Sequence, residues 1–317
     1  MRIVVSHVRI SEDAPKDEQD TLIQAAAVAQ ALNNLGFESR LVPFSSDLEK
    51  SIQELRDAGP DLIFNLVESL NGSGRLIHVA PALFDYLKIP HTGASSEAIV
   101  LTSNKLLAKK LLRLAGVATA DWAPAGSTIE FAGPYLLKSV WEHASIGLDD
   151  HCLASDQVEL TKLLTGRASL QEVFIERYIE GREFNLSILA GRAGPRVLPP
   201  AEIRFDFPPQ KARIVGYRAK WDESSFEYQH TSRSFDFGPE DRALLDKLER
   251  IALKCWRLFD LRGYARVDFR IDNEGCPWVL EINSNPCISP DSGFVAAAEK
   301  AGLNYEQMLM CVIEDGL

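Results

Sequence analysis

The stretch GYARVDFRIDNEGCPWVLEINSNP, residues 263–286, contains two runs of alternating side chains on either side of a DNEG turn. Successive side chains of a strand point to opposite faces, so this pattern predicts an antiparallel hairpin with one polar and one apolar face. Pairing about the centre of the turn places Arg266 opposite Glu281. The apolar face is then formed by the hydrophobic residues of both runs, Val267, Phe269, Ile271, Trp278, Leu280 and Ile282.

The polar face of this hairpin combines two carboxylates with an amide. In the predicted register Asp268 and Glu281 are diagonal neighbours, about 7 Å apart at Cβ, a separation that a cation can bridge. With Asn283 they offer oxygen donors suited to a hard cation such as Mg²⁺. Two other interpretations stay open from these residues alone: a solvated face with an Arg266–Glu281 pair, and a pair of glycosidase carboxylates.

The composition is that of an ordinary globular protein, with 317 residues of which 46% are hydrophobic and 25% charged. A net charge of −11 argues against nucleic-acid and membrane-surface partners. The apolar run in MRIVVSHVRI is too short for a signal peptide, and no stretch approaches the roughly 20 apolar residues of a membrane span. Five cysteines without a CxxC motif predict neither a disulfide framework nor a zinc site, so we expect a cytoplasmic protein.

The predicted elements divide the chain into parts with different arrangements of strands and helices. Up to residue 95, strands at 2–6, 38–44 and 61–67 alternate with helices at 17–35 and 75–88, which is typical of a parallel α/β unit. Later runs at 133–140, 169–179 and 183–191 predict antiparallel strands. Ser103 is a candidate cap for a helix over 104–115, and Pro239 opens a helix over 239–260. The polar, aromatic and irregular segment 205–236 predicts a functional loop.

Three lysines have positions that favour a phosphate ligand. Lys138 lies inside the apolar strand YLLKSV, where an unpaired lysine is costly to bury. Lys105 begins a predicted helix, whose N-terminus attracts anions, and Lys220 could swing onto a phosphate as the long loop closes. The adjacent EHASIG segment, 142–147, is a weak candidate for a phosphate loop. Each lysine taken alone is also consistent with a solvated surface position.

Two acids complete the set. Glu176 and Glu183 flank a predicted turn at Gly181, where carboxylates can accept hydrogen bonds from ribose hydroxyls or an adenine amine, although either alone is more typical of a solvated surface. Lysines for polyphosphate, acids for ribose, a metal site and a neighbouring arginine are together what holding Mg-ATP and transferring a phosphoryl group require. The glycosidase interpretation accounts for none of the lysines.

These motifs, in this order, resemble the ATP-grasp superfamily and, within it, the D-alanine–D-alanine ligase family. The likeness runs nearly end to end, through PHTG at 90–93, SNKLLAKKLLRLAGV at 103–117, LLKSVWEHASIG at 136–147, FIERYIEGREF at 174–184, YRAKW at 217–221 and the hairpin. It implies an ATP-grasp fold of α/β and α+β class. The implied units are an N-terminal parallel α/β (pre-ATP-grasp) domain at 1–95, a central ATP-grasp subdomain at 96–178, and a C-terminal subdomain at 179–317 with the lid loop 205–236.

The resemblance also implies roles for individual residues. The ATP contacts would be Lys105, Lys138, Ser145, the adenine hinge Glu176, Arg177, Tyr178 and Ile179, the ribose acid Glu183, and Lys220. Two Mg²⁺ ions, which Mn²⁺ could replace, would be held by Asp268, Glu281 and Asn283. In the family, ATP phosphorylates a carboxylate and an amine attacks the acyl phosphate. Arg266 would stabilise the resulting oxyanion, assisted by the backbone N–H of Cys287, and Lys220 would be a further catalytic residue.

The departures from the family pattern lie at the substrate end. The family's serine and tyrosine are replaced by Ala144 and Trp221, and its N-terminal glutamate corresponds to Asp20. VESLNGSG replaces a His-Gly and Glu-Asp-Gly stretch and introduces Glu68, while Cys287 stands in place of a glycine. The residues expected to contact substrate are Asp20, Glu68, Trp221, Ser292 and Gly293.

We therefore expect an ATP-dependent carboxylate–amine ligase that joins amino acids or small peptide-like substrates. A D-alanine–D-alanine ligase with an altered pocket is the first alternative, because polar substrate sites discriminate through their paired groups. A non-catalytic nucleotide-binding regulatory protein and a hydroxyl kinase on the same scaffold are the others. Members of the family often pair as homodimers, but no exposed apolar stripe in the sequence marks such an interface.

Overall fold

A computed structural model of the chain describes residues 1–11, 14, 16–142, 148, 150–165 and 172–317. The first three strands form a parallel sheet in the order β2-β1-β3, with helices packed against it. The β-branched run of β1 explains its central place, since Ile3, Val4 and Val5 are fully buried. The elements of this unit are β1 (Arg2–Val8), α1 (Lys16–Asn34), β2 (Glu38–Phe44), α2 (Leu48–Ala58), β3 (Leu62–Leu66) and α3 (Val79–Leu87).

Two helices, α4 (Ser96–Ser103) and α5 (Lys105–Leu114), connect this unit to the rest of the chain. The prediction that Ser103 caps the second helix is wrong, because Ser103 is the last residue of α4. The cap is Asn104, whose side chain accepts a hydrogen bond from the N–H of Leu107 at 3.0 Å. α5 thus begins at Lys105, one residue after a sharp break.

A second sheet is antiparallel in the order β4-β7-β5-β6. Its elements are β4 (Trp122–Pro124), β5 (Tyr135–Ser139), β6 (Leu153–Ala154), α6 (Gln157–Thr165) and β7 (Val173–Arg177). A third, larger antiparallel sheet has the order β11-β10-β8-β12-β13, with β9 paired to β8. Its strands are β8 (Arg182–Leu189), β9 (Arg196–Val197), β10 (Ala201–Phe205), β11 (Thr231–Ser234), β12 (Tyr264–Ile271) and β13 (Pro277–Asn283).

The remaining helices are α7 (Tyr217–Trp221), α8 (Phe226–Gln229), α9 (Arg242–Leu258), α10 (Gly293–Lys300) and α11 (Tyr305–Gly316). The predicted irregularity of 205–236 is wrong in part, because α7, α8 and β11 lie within it. The amphipathic α9 packs on the third sheet, whereas α10 and α11 share a hydrophobic core with β1 and α1. In the part of the chain that is described, no helix is long and apolar enough to cross a membrane.

The hairpin β12–β13 forms as predicted, but its register is not the predicted one. The turn has three residues, closed by the Asp272 N–H donating to the Cys276 carbonyl, with Gly275 at φ +77°. A β-bulge then shifts the pairing between Asp268 and Phe269. Asp268 therefore lies directly opposite Glu281 and not diagonal to it, and Val279 is buried in place of Leu280.

Candidate active site

A cavity of about 590 Å³ lies between the two antiparallel sheets and the N-terminal α/β unit. Most of the residues singled out in the sequence line it: Asp20, Glu68, Lys105, Lys138, Glu176, Tyr178, Ile179, Glu183, Lys220, Trp221, Arg266, Asp268, Glu281, Asn283, Cys287, Ser292 and Gly293. The guanidinium of Arg177 instead lies 5.1 Å from the centre of the Trp278 ring, because alternate residues of β7 face opposite sides. Ser145 falls outside the described residues.

The Glu176 carboxylate is buried between two lysines. Its Oε2 lies 2.9 Å from Lys138 Nζ, and its Oε1 contacts Lys109 Nζ. Burial alone would raise the pKa of Glu176, but the two ammonium groups outweigh it and lower that pKa. Glu176 likewise raises the pKa of Lys138 against the effect of burial. The carboxylate, expected at ribose or adenine, is thus engaged in holding a charged Lys138 at the cavity wall.

Lys105 lies at the first turn of α5, next to Glu281, one of the predicted metal ligands. Its Nζ donates to the Glu142 carbonyl at 2.5 Å and lies 3.5 Å from Glu281 Oε1. Burial lowers the pKa of Lys105, and Glu281 opposes that effect. The ammonium therefore connects the Glu142 backbone to the carboxylate of Glu281 in the cavity wall.

Glu183 lies at the start of β8, beside a turn that only glycine can make. Its Oε2 is 2.8 Å from the Arg270 guanidinium, yet burial raises the pKa of Glu183. Arg270 also donates to the Gly181 carbonyl at 3.1 Å. Gly181 has φ +145°, and a Cβ there would lie 1.8 Å from the Ile271 carbonyl oxygen. This close approach sets where Glu183 enters the cavity.

The polar face of the hairpin forms a group of oxygen donors around one arginine. Arg266 donates from Nε and Nη2 to the two oxygens of Asp268 at 2.7 and 2.8 Å. Asn185, from the neighbouring strand, donates to Asp268 at 2.8 Å. Because of the bulge, Asp268 and Glu281 are direct cross-strand partners, as are Arg266 and Asn283. Two carboxylates and an amide on adjacent strands fit a hard divalent cation such as Mg²⁺.

Asp20 and Glu68 form an acidic wall of the cavity. The Ser289 hydroxyl donates to both oxygens of Asp20 at 3.0 Å, and the Cys287 thiol donates at 3.1 Å. Gln24 Nε2 donates to Glu68 at 2.8 Å. Burial raises the pKa of Glu68 to about 7, which the Gln24 bond partly offsets. The substrate end is therefore a hydrogen-bonded network quite different from a serine–tyrosine–glutamate set.

Residues of the 205–236 segment and of the start of α10 also line the cavity. Lys220 and Trp221 project from α7 into the cavity, where burial and Arg266 lower the pKa of Lys220. Ser292 caps α10 by accepting from the Val295 N–H at 3.3 Å. A Cβ on Gly293 would lie 3.2 Å from the Arg233 guanidinium, so the glycine admits that cation beside the helix N-terminus.

Sequence analysis did not single out four polar or charged residues of this site: Lys109, Asn185, Arg233 and Arg270. One signal was available for Lys109, because it follows Lys105 by four residues and so shares its helix face with buried Ala108 and Leu112. The others depend on which strands are neighbours in the third sheet, a long-range fact that no local pattern reports.

The fold and the site together define an ATP-grasp enzyme. The D-ala D-ala ligase C-terminus family matches residues 117–314. The chain is 29% identical over 311 residues to the D-alanine–D-alanine ligase of Synechococcus sp. (strain JA-3-3Ab), covering 95% of this chain and 90% of that protein. It is 27% identical over 321 residues to the D-alanine–D-alanine ligase of Aquifex aeolicus (strain VF5), covering 99% and 100%. These matches show that the chain belongs to the D-alanine–D-alanine ligase family.

Two further matches extend this result. Uncharacterized protein y4sG of Sinorhizobium fredii (strain NBRC 101917 / NGR234) is 31% identical over 92% of this chain and 86% of its own length. The structure of a D-alanine–D-alanine ligase from Bacillus anthracis complexed with ATP superimposes with a TM-score of 0.77 at 24% identity, covering 100% of this chain and 96% of that one. The predicted family, fold and enzyme class are confirmed: the chain is an ADP-forming, ATP-dependent carboxylate–amine ligase. Its family acts on small amino-acid substrates and uses ATP, generally with Mg²⁺.

Proposed function

We propose that this ligase joins the carboxylate of one amino acid or small peptide-like substrate to the amine of another through an acyl phosphate. The observation that carries the proposal is the combination of charged groups in one cavity. Its lining includes the lysines Lys105 and Lys138, the oxygen donors around Arg266, and the acidic wall of Asp20 and Glu68. A polyphosphate, a reacting carboxylate and an ammonium group match these three groups in charge.

The lysines and glutamates of the cavity would bind the nucleotide through their charges and their positions. Lys105 and Lys138 would hold the phosphates of ATP, with Glu176 keeping Lys138 in place and Glu183 accepting from the ribose. In this proposal residues 96–178 and 179–317 hold the nucleotide between them. The helices of 205–236 act as a lid, which brings Lys220 onto the transferred phosphoryl group.

The oxygen donors around Arg266 would hold the metal ions, and Arg266 would stabilise the charge of the transition state. Asp268, Glu281 and Asn283 would hold two Mg²⁺ ions, which Mn²⁺ could replace. Bound Mg²⁺ supplies neutralisation of the phosphate oxygens during transfer. Arg266, with the N–H of Cys287, would stabilise the oxyanion that forms when the amine adds to the acyl phosphate.

Residues 1–95 would supply the substrate side through Asp20 and Glu68, facing Trp221, Ser292 and Gly293. The N-terminus of α10, with Ser292 and Gly293 beside Arg233, suits the terminal carboxylate of the amine substrate. A second candidate is the condensation of two D-alanines, which is favoured by the names of relatives that match nearly end to end. Against it stands the altered acidic wall, since a different set of paired groups selects a different substrate.

The test is consumption of Mg-ATP with a panel of D- and L-amino acids and small amines, with products identified by mass spectrometry. The proposal predicts one new amide for each ADP and phosphate. D-alanyl-D-alanine from D-alanine alone would establish the second candidate. A phosphorylated hydroxyl product without free phosphate would overturn both.

A further inference from the structure

Glu68 and Asp20 face the same cavity but have different surroundings. Asp20 accepts hydrogen bonds from a hydroxyl and a thiol, whereas Glu68, within the described residues, accepts one hydrogen bond, from Gln24. Gln24 is itself fixed, because its Oε1 accepts from the Ile288 N–H, which leaves its Nε2 to donate to Glu68. One Glu68 oxygen is thus held in place, while the residue lines the cavity.

We propose that Glu68 is the general base that takes a proton from the attacking ammonium group of the amine substrate. This inference rests on the ligase function proposed above. An ammonium group has no lone pair for attack, so a nearby acceptor must remove a proton first. Asp20, already bonded to two donors, is suited to hold the ammonium group in position, while Glu68 has the capacity to accept a proton.

The charges around Glu68 support this assignment. Asp20 faces it from α1 and raises the pKa of Glu68, whereas Arg266 faces it from β12 and lowers it. Tyr264 of β12 and Cys287 from the segment after β13 also interact with it, and burial keeps both of their pKa values well above the ordinary range, so they remain neutral. With burial as the largest cause, the pKa of Glu68 reaches about 7, near the pH of the reaction. Arg266, the proposed oxyanion partner, lines the same cavity as Glu68 and interacts with it electrostatically.

Amide formation removes two protons from the substrate nitrogen. A substrate N–H bond breaks and an O–H bond forms on Glu68, and the nitrogen lone pair then forms the C–N bond to the acyl carbon. The C–O bond to phosphate breaks, and its electron pair leaves with phosphate. The second nitrogen proton leaves with that phosphate as hydrogen phosphate, and Glu68 returns its proton to solvent.

The experiment compares two acceptors in one reaction mixture. Hydroxylamine is largely unprotonated at neutral pH and attacks an acyl phosphate without a base, giving a hydroxamate. Wild type and Glu68→Gln, each with Mg-ATP, are given the amino acids of the panel together with hydroxylamine, and the ratio of amide to hydroxamate is measured by mass spectrometry. Glutamine keeps the shape of the side chain and can still accept from Gln24.

We expect the amide-to-hydroxamate ratio to fall by about 10²–10⁴-fold in Glu68→Gln. The rise of the wild-type amide rate through about pH 7 should disappear with it. The ratio does not depend on how much enzyme is folded, and Glu18→Gln, a second glutamate of the cavity lining, should leave it unchanged.

Each other outcome overturns the inference. An unchanged ratio in Glu68→Gln, whether both products persist or both decline together, would make Glu68 a structural or donor-binding residue. If the wild type forms neither hydroxamate nor ADP with any member of the panel, the proposed ligase function fails first and the base assignment with it.

Discussion

Replacing Glu176 by glutamine removes the carboxylate that separates two buried ammonium groups. Glu176 and Lys109 are each 1% exposed, and Glu176 also holds Lys138 at 2.9 Å. The amide can accept from one lysine but carries no charge. The variant therefore leaves at least one buried ammonium without its counter-ion.

Removing one partner of a buried ion pair typically costs about 3–5 kcal/mol of unfolding free energy. The lower end applies here, since Lys109 keeps the Thr119 hydroxyl at 2.8 Å and the Ala120 carbonyl at 3.3 Å as neutral acceptors. For a chain of 317 residues, a loss of about 3 kcal/mol lowers the unfolding temperature by about 4–5 °C. Because Lys138 loses its anchor, ATP binding should weaken in the same variant.

Thermal unfolding followed by circular dichroism measures the loss, with Glu54→Gln as the control. Glu54 pairs with Arg9 at 2.8 Å, but their side chains are 32% and 37% exposed. A surface pair of this kind contributes about 0–1 kcal/mol. If Glu176→Gln unfolds at the same temperature as Glu54→Gln, the claim that a buried carboxylate organises the lysine cluster is refuted.

Three further changes test other parts of the site. Glu281→Gln should abolish turnover and weaken Mg²⁺ binding while the circular dichroism spectrum stays unchanged; normal activity would remove Glu281 from the metal site. Arg266→Ala should lower kcat by about 10²–10³-fold and leave the Kd for ATP nearly unchanged, because an oxyanion donor acts in the transition state; loss of ATP affinity with an intact kcat would make Arg266 a nucleotide ligand. Glu68, with a pKa raised from 4.5 to about 7, is stabilising in its protonated form, so wild-type stability should fall as pH rises from 4.5 to 7. Glu68→Gln should therefore raise the unfolding free energy at pH 8 by at most about 3 kcal/mol, and raise the unfolding temperature with it. At pH 4.5 the substitution should change the unfolding temperature little. An equal effect at both pH values would contradict the raised pKa of Glu68.

Local patterns predicted the elements that position the site more reliably than the contacts within it. Alternation identified the β12–β13 hairpin and its polar face, but the register depended on a three-residue turn and a bulge. The Gly275 turn and the shift after Asp268 each move the pairing by one residue, and together they bring Asp268 directly opposite Glu281. Neither leaves a distinct mark in the sequence, because Leu280 fits an apolar face as readily as a cavity wall.

The long-range ion pairs could not be predicted from the sequence, for a different reason. Glu176 matches an adenine-hinge position, yet its partner Lys109 lies 67 positions away and Arg270 reaches Glu183 only because β8 and β12 are neighbours. The substrate end shows the same limit. Asp20 and Glu68 stood out as departures from the family pattern, but the role of Cys287 and Ser289 as donors to Asp20 depends on the packing of α1 against the segment after β13.

The acyl phosphate is the central chemical claim, and transfer of oxygen from carboxylate to phosphate tests it most directly. The measurement supplies the amino-acid panel with ¹⁸O in both carboxylate oxygens and analyses the released phosphate by mass spectrometry. The acyl-phosphate mechanism predicts one ¹⁸O atom in each phosphate released, together with one amide and one ADP. Unlabelled phosphate, or a phosphorylated hydroxyl in place of an amide, would contradict it.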